Sequence, residues 1–182
     1  CPFLLIQEDK QPYLEAGFAE PSASFYWMIA NIDDNMGRLS EFLDRNSLTE
    51  NTILIFMTDN GTAAGVARNR GDTNASAWRG FNAGMRGQKG SEYDGGHRVP
   101  FFIRWPAGQV GGGRDVDILS AHIDVLPTLV ELCGIEKPDG PPVDGMSLSS
   151  LLRGGSDVEA PQRTRFVHSQ RLESPEKWRK SS

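Results

Sequence analysis

Ile53-Leu54-Ile55-Phe56-Met57-Thr58-Asp59-Asn60-Gly61 runs five apolar residues straight into a hydroxyl, an acid, an amide and a glycine. Its length, its β-branched and aromatic content and the stop at Gly61 predict a strand over 52–58. The unbroken apolar run predicts burial on both faces, as in a parallel sheet. Ligands of open α/β sheets collect at the carboxyl ends of strands, which is where Asp59 and Asn60 stand. Side chains alternate along a strand, so neighbours converge on one point only where the backbone turns, and Gly61 permits that turn. A carboxylate beside an amide carbonyl makes a pair of hard oxygen donors, suited to calcium or magnesium and not to a thiophilic metal. Asp, Asn and Gly are also the commonest turn formers, and the tripeptide alone reads first as a strand-to-loop turn.

Upstream of this strand, Phe25, Met28, Ile29, Ile32, Met36, Leu39 and Leu43 recur at spacings of three and four. They predict an amphipathic helix over about 23–45, with Ser22 or Ser24 as its N-cap. Asn31, Asp34, Asn35, Arg38 and Glu41 lie on its other face and read as solvated surface. Residues 1–6 read as a short buried strand and 7–21, with Pro12, Gly17 and Pro21, as a loop.

Downstream, Val99 to Trp105 reads as a second strand, with Pro100 tolerated near its beginning. Asp117–His122 reads as extended. Asp124 then caps a helix through Cys133, with Pro127 in its first turn and Gly134 at its stop. A short helix near Ser147–Leu152 and a strand at Arg165–His168 follow. The sum is an α/β domain over 1–172 and a charged, frayed tail over 173–182.

The 182 residues suffice for one domain with its own core. The balance of 24 acids against 19 bases leaves no broad positive field for nucleic acid or an anionic membrane. No apolar stretch approaches membrane-spanning length. Cys1 and Cys133 lie far apart in no metal-ligand spacing, and they leave the redox compartment open.

Nine of the 36 residues from Gly61 to Gly96 are glycine, and a stretch so long and irregular reads as functional or disordered. Within it Arg86, Lys89, His97 and Arg98 bring local positive charge into an acidic chain, among glycines that let a backbone approach an anion. Lys89 lies thirty residues beyond Asp59, enough chain to fold back over the strand end. A lone loop lysine is, on its own, more often plain solvated surface.

Four stretches taken together resemble the sulfatase family of the alkaline phosphatase superfamily: Ile29 to Gly37, Thr58 to Gly61, Gly87 to Pro100, and Ser120 to Leu129, in that order. The resemblance runs from about residue 20 to about 170. It implies an alkaline phosphatase-like α/β sheet flanked by helices. It further implies that Asp59 and Asn60 are calcium ligands, with magnesium the second choice, and that Lys89 is the catalytic lysine contacting the sulfate and the leaving oxygen. These roles suit the chemistry, since a divalent ion polarises sulfuryl oxygens and an ammonium meets charge building on the departing oxygen. His97, His122 and His168 read as loop or packing residues, and Arg98 as a tie to a neighbouring carboxylate. The implied substrate is a sulfated small molecule or carbohydrate. The 63–81 loop, with Trp78 and Arg79, is the local contributor to its pocket, and the resemblance alone suggests a secreted, periplasmic or lysosomal setting.

The sequence also departs from the family pattern. Neither Cys1-Pro2-Phe3-Leu4-Leu5 nor Cys133-Gly134-Ile135-Glu136-Lys137 fits the Cys/Ser-x-Pro-x-Arg motif from which the formylglycine nucleophile is made, and no serine does. The expectation is therefore the latter part of a sulfatase catalytic domain, with a sheet incomplete because the N-terminal part is missing, roughly half a metal site, and no activity alone. The alternatives are a phosphatase or phosphonate hydrolase of the same superfamily, or an interaction domain that keeps the fold without the chemistry.

Overall fold

A computed structural model describes residues 10–18, 20–62, 83–136, 140–154 and 164. These fall into two compact units, one drawn from Cys1–Asn46 and Met57–Phe101, the other from Ser47–Phe56 and Phe102–Ser182.

In the first unit α1 (Gln11–Glu15) packs on the long α2 (Glu20–Arg45). The loop expected over 7–21 is thus partly helical. Pro12 sits in the first turn of α1, where its missing N–H costs nothing, so it starts the helix instead of breaking it. Tyr13 stacks on Tyr26 with ring centroids 6.2 Å apart, and Phe18 adds a tilted contact to Tyr26 at 5.0 Å. The helix expected from about 23 begins at Glu20, so Ser22 and Ser24 are not its caps but lie inside it, both buried. The apolar stripe is as expected, yet its burial is uneven. Leu43 is buried, whereas Ile29, Ile32 and Leu39 are each at least 40% exposed. Asn31, Asp34, Asn35, Arg38 and Glu41 are exposed, as a polar face should be.

Strands β1 (Leu54–Met57) and β2 (Phe101–Arg104) are hydrogen-bonded neighbours, a two-stranded sheet among the described residues. Each is shorter than its apolar run. Pairing ends at Met57 because the chain turns at Thr58, and it begins after Pro100, which has no amide to donate. Burial on both faces does not hold among the described residues: β1 is half-buried and Phe102 is 64% exposed. Phe56 and Phe102 meet across the strands at 6.3 Å.

The second unit is held by buried polar groups as much as by apolar ones. Val125–Leu132 forms α4 and Ser149–Leu152 forms α5, with Leu132, Leu148 and Ser149 buried between or beside them. Gly134 ends the α4 region with φ +61°, as its position suggested. The segment expected to be extended over Asp117–His122 pairs with no strand; its backbone is extended at Ala121, and at His122 it passes into a 3-10 turn, His122–Asp124. Asp124 does not cap α4 with its side chain. Its carboxylate, 1% exposed, instead accepts the amides of Ala121 at 2.8 Å and Met146 at 3.0 Å, tying the approach to α4 to a loop 22 residues on. Thr128 continues the link, donating its hydroxyl to Asp124 O at 2.6 Å and accepting the Leu148 amide at 3.0 Å. No helix among the described residues is long and apolar enough to cross a membrane. The strands expected at 1–6 and 165–168 lie outside the described residues.

Candidate active site

Strand β1 carries the chain to Thr58, where the extended backbone ends. The Thr58 hydroxyl donates to Asn60 O at 3.2 Å, and the Asn60 side-chain amide donates from Nδ2 to Gly61 O at 3.0 Å. These short-range bonds wind the strand end into a turn, the change of direction that consecutive polar residues need to serve one point. With Nδ2 engaged by the backbone, Asn60 keeps its Oδ1 as an acceptor, and Asp59 is exposed beside it. Both are oxygen donors of the kind calcium takes, so the residues present fit that ion in chemistry, although two donors are few of the six to eight it prefers. Among the described residues no group of three or more His, Cys, Asp or Glu converges as a metal site.

The turn carrying Lys89 is joined to this strand end by main-chain bonds. The Lys89 amide donates to Thr62 O at 2.8 Å and the Gly61 amide to Gly96 O at 2.9 Å. Around Lys89 the loop folds on itself: Ser91 N to Gln88 O at 2.8 Å, Gly95 N to Arg86 O at 2.7 Å, Gly96 N to Tyr93 O at 2.7 Å. Ser91 Oγ accepts the Gln88 amide at 3.1 Å. The residues that sequence reading treated as irregular thus include one helical turn, α3 (Asp94–His97).

Glycine is required where these backbones touch. A Cβ on Gly61 would fall 2.7 Å from the Gly95 carbonyl carbon, and one on Gly95 would lie 2.7 Å from Arg86 O. Real side chains do not fit at such distances, so the strand end approaches the loop because Gly61 carries no Cβ, and the loop closes on itself because Gly95 carries none. The result is a clasp of main-chain bonds that holds Lys89 within three residues of the Asp59-Asn60 turn through Thr62.

Lys89 is exposed. Arg86, three residues before it, lays its guanidinium over Tyr93, with Cζ 3.6 Å from the ring centroid. His97 is exposed at the end of α3, in keeping with a loop residue, and His122 is exposed in its 3-10 turn. Arg98 donates its backbone amide to Asp94 O at 2.8 Å. The tie to a carboxylate expected of its side chain is absent among the described residues, because the main chain already fixes that end of the loop. His168, Trp78 and Arg79 lie outside the described residues. Sequence reading missed the parts played by Thr62, Ser91, Gly95 and Gly96. The one signal that could have found them is the pairing of Gly61 with the Gly95-Gly96 doublet, two points where a second backbone comes close.

Comparison with known proteins places these residues in a family context. A family model described as sulfatase matches residues 7–135. The chain is 33% identical over 159 residues to the steryl-sulfatase of Mus musculus, covering 84% of this chain and 25% of that protein. It is 31% identical over 157 residues to an ulvan-active sulfatase of Formosa agariphila, covering 86% of this chain and 27% of that one. The chain therefore spans about a quarter of the length of these curated relatives. Among solved structures, Ps i-CgsB in complex with k-i-k-neocarrahexaose superposes with a TM-score of 0.68 at 24% identity, over 84% of this chain and 31% of that one. The PsFucS1 sulfatase from Pseudoalteromonas sp. superposes with a TM-score of 0.58 at 25% identity, over 79% of this chain and 26% of that one. These superpositions show a shared fold.

Proposed function

The chain belongs to the sulfatase family, and on that premise we propose that it forms part of the catalytic domain of a calcium-dependent sulfuric ester hydrolase, with Asp59 and Asn60 as metal ligands and Lys89 as the lysine that meets the sulfate group. The observation that carries this reading is the main-chain clasp between Thr62 and Lys89 and between Gly61 and Gly96. It brings the backbone of a lysine turn to the end of the strand that bears two hard oxygen donors. The fragment character and the metal are part of the proposal.

Calcium, when bound, polarises the sulfuryl oxygens and neutralises charge on them. The chain's own residues do the following. Asp59 offers a carboxylate and Asn60 its Oδ1, held by the bond from Nδ2 to Gly61 O. Lys89 extends an ammonium from a turn whose backbone is already bonded, so its reach is set by its side chain alone. There it binds an ester oxygen and stabilises charge as the S–O bond to the leaving group lengthens. The sulfated substrate is a small molecule or carbohydrate. That class agrees with relatives named as steryl-sulfatase and N-acetylgalactosamine-6-sulfatase.

These 182 residues alone neither hydrolyse sulfate esters nor hold calcium tightly. Two oxygen donors leave most of a calcium shell to water, and no residue in the sequence stands in the formylglycine motif, so a covalent step has no starting group. The test is aryl sulfate turnover by the chain alone and by the longer catalytic domain that includes it, each with and without Lys89→Ala. In the longer protein the substitution lowers kcat/KM by about 10²–10³, the cost of one missing oxyanion-stabilising donor. Turnover by the chain alone, or a longer protein indifferent to Lys89→Ala, would overturn the assignment.

A further inference from the structure

We infer that Arg86 is a second oxyanion contact beside Lys89, so that this site takes sulfate esters carrying a further anionic group, a sulfate or a carboxylate, on the same molecule. The inference rests on the reading of Lys89 given above and adds the chemical class of the substrate.

Arg86 is exposed, and its guanidinium carbon lies 3.6 Å from the centroid of the Tyr93 ring. A guanidinium face-on to a ring spends its π face on that contact and keeps its in-plane N–H groups for an acceptor. Among the described residues it makes no hydrogen bond or ion pair, so the donors are not committed to holding the loop. The fold of the loop does not need them. The Arg86 carbonyl accepts the Gly95 amide, and the Tyr93 carbonyl accepts the Gly96 amide, so main-chain bonds alone place both partners of the stack. What the stack adds is a forked donor with reduced rotamer freedom, suited to two oxygens of a sulfate or carboxylate. Lys89 lies three positions after Arg86, a span of at most about 11 Å even if fully extended, so the two cations are near enough for one ligand carrying two anionic groups to reach both. Glu92 and Asp94 stand exposed on the same loop, so anion recognition here comes from the placed guanidinium fork and the Lys89 ammonium, not from a net positive field.

The experiment titrates the 182-residue chain, followed by amide NMR shifts, with three disaccharides: one monosulfated, one disulfated, one bearing a sulfate and a uronate carboxylate. Arg86 is solvent-exposed, so its contact is worth what a surface ion pair is worth, and the doubly anionic ligands bind about three- to fivefold tighter than the monosulfated one. Arg86→Gln removes that preference. Arg86→Lys, which keeps charge without the fork, retains part of it. Preference for only one of the two doubly anionic ligands identifies the second group as sulfate or as carboxylate. A preference that survives Arg86→Gln, or a wild-type chain with no preference, overturns the inference. Lys89→Ala reads the other claim, since it weakens all three ligands if the site is as proposed. Should it leave them unchanged while Arg86→Gln still abolishes the preference, the assignment of Lys89 fails and the Arg86 contact stands.

Discussion

The amide of Lys89 donates to the carbonyl oxygen of Thr62 at 2.8 Å. That bond ties the turn carrying the candidate sulfate-binding lysine to a residue three positions beyond Asp59. Its neighbour, Gly61 N to Gly96 O at 2.9 Å, makes the tie double. The position of this turn is therefore set by main chain, and the exposed side chains of Asp59 and Lys89 take no part in the tie.

A methyl group at Gly61 would meet the Gly95 backbone, which cannot rotate away as a side chain can. Gly61→Ala is expected to open the clasp and to cost about 1–3 kcal/mol, in the range of overpacked sites. Hydrogen exchange checks it: the Lys89 and Gly61 amides lose protection, while the amides of α4 keep theirs.

Asp124 should matter to stability far more than an acid at a helix start usually does. Asp124→Ala leaves the Ala121 and Met146 amides without their acceptor in a site only 1% exposed, at about 2–4 kcal/mol for the pair. Asp124→Asn recovers part of this, because one oxygen remains to accept while the NH2 opposes the other donor. Urea unfolding midpoints of the two variants separate these cases.

Much of the secondary structure could be read from pattern, because helices and strands advertise themselves through periodicity. The stripe from Phe25 to Leu43 and the Asp124–Gly134 segment with its proline and glycine are the clear instances. Pro12 misled because the same residue that breaks a helix interior also begins a helix. Asp124 misled because a side chain at a helix start can serve a loop distant in sequence, and no local pattern reports that. For the site, Asp59, Asn60 and Lys89 were legible as residue types in order, with help from a family resemblance. The clasp was not, since it consists of main-chain groups, and its sequence trace is only the absence of Cβ at Gly61, Gly95 and Gly96.

Glu131 gives a pH-dependent contribution of known sign. Hydrogen bonds from Ser147, then Ser149, hold its carboxyl below the usual glutamate range against the opposing effect of burial, with the positive charge of Arg153 a smaller help. The folded-state pKa is therefore lower than the unfolded one. The stabilisation is complete above the unfolded pKa and is lost as pH falls through the folded value. Glu131 is exposed and its interactions are screened, so Glu131→Gln should cost under about 1 kcal/mol at pH 7. The gap to the parent chain closes in acid, below the ordinary glutamate pKa of about 4.3. Thermal midpoints taken across that range measure it.

The proposal that Asp59 and Asn60 hold a divalent ion next to Lys89 is tested most directly by paramagnetic broadening. Mn²⁺, a hard ion that accepts carboxylate and carbonyl ligands, substitutes for calcium and broadens amides near it. Titrated into the 182-residue chain, it should act weakly, as befits two protein donors, and should broaden the amides of Asn60, Gly61 and Lys89 together, with the effect lost in Asp59→Ala. Broadening centred instead on Asp33 and Asp34 of α2, or broadening at Asn60 that leaves Lys89 sharp, would contradict a shared site for metal and lysine.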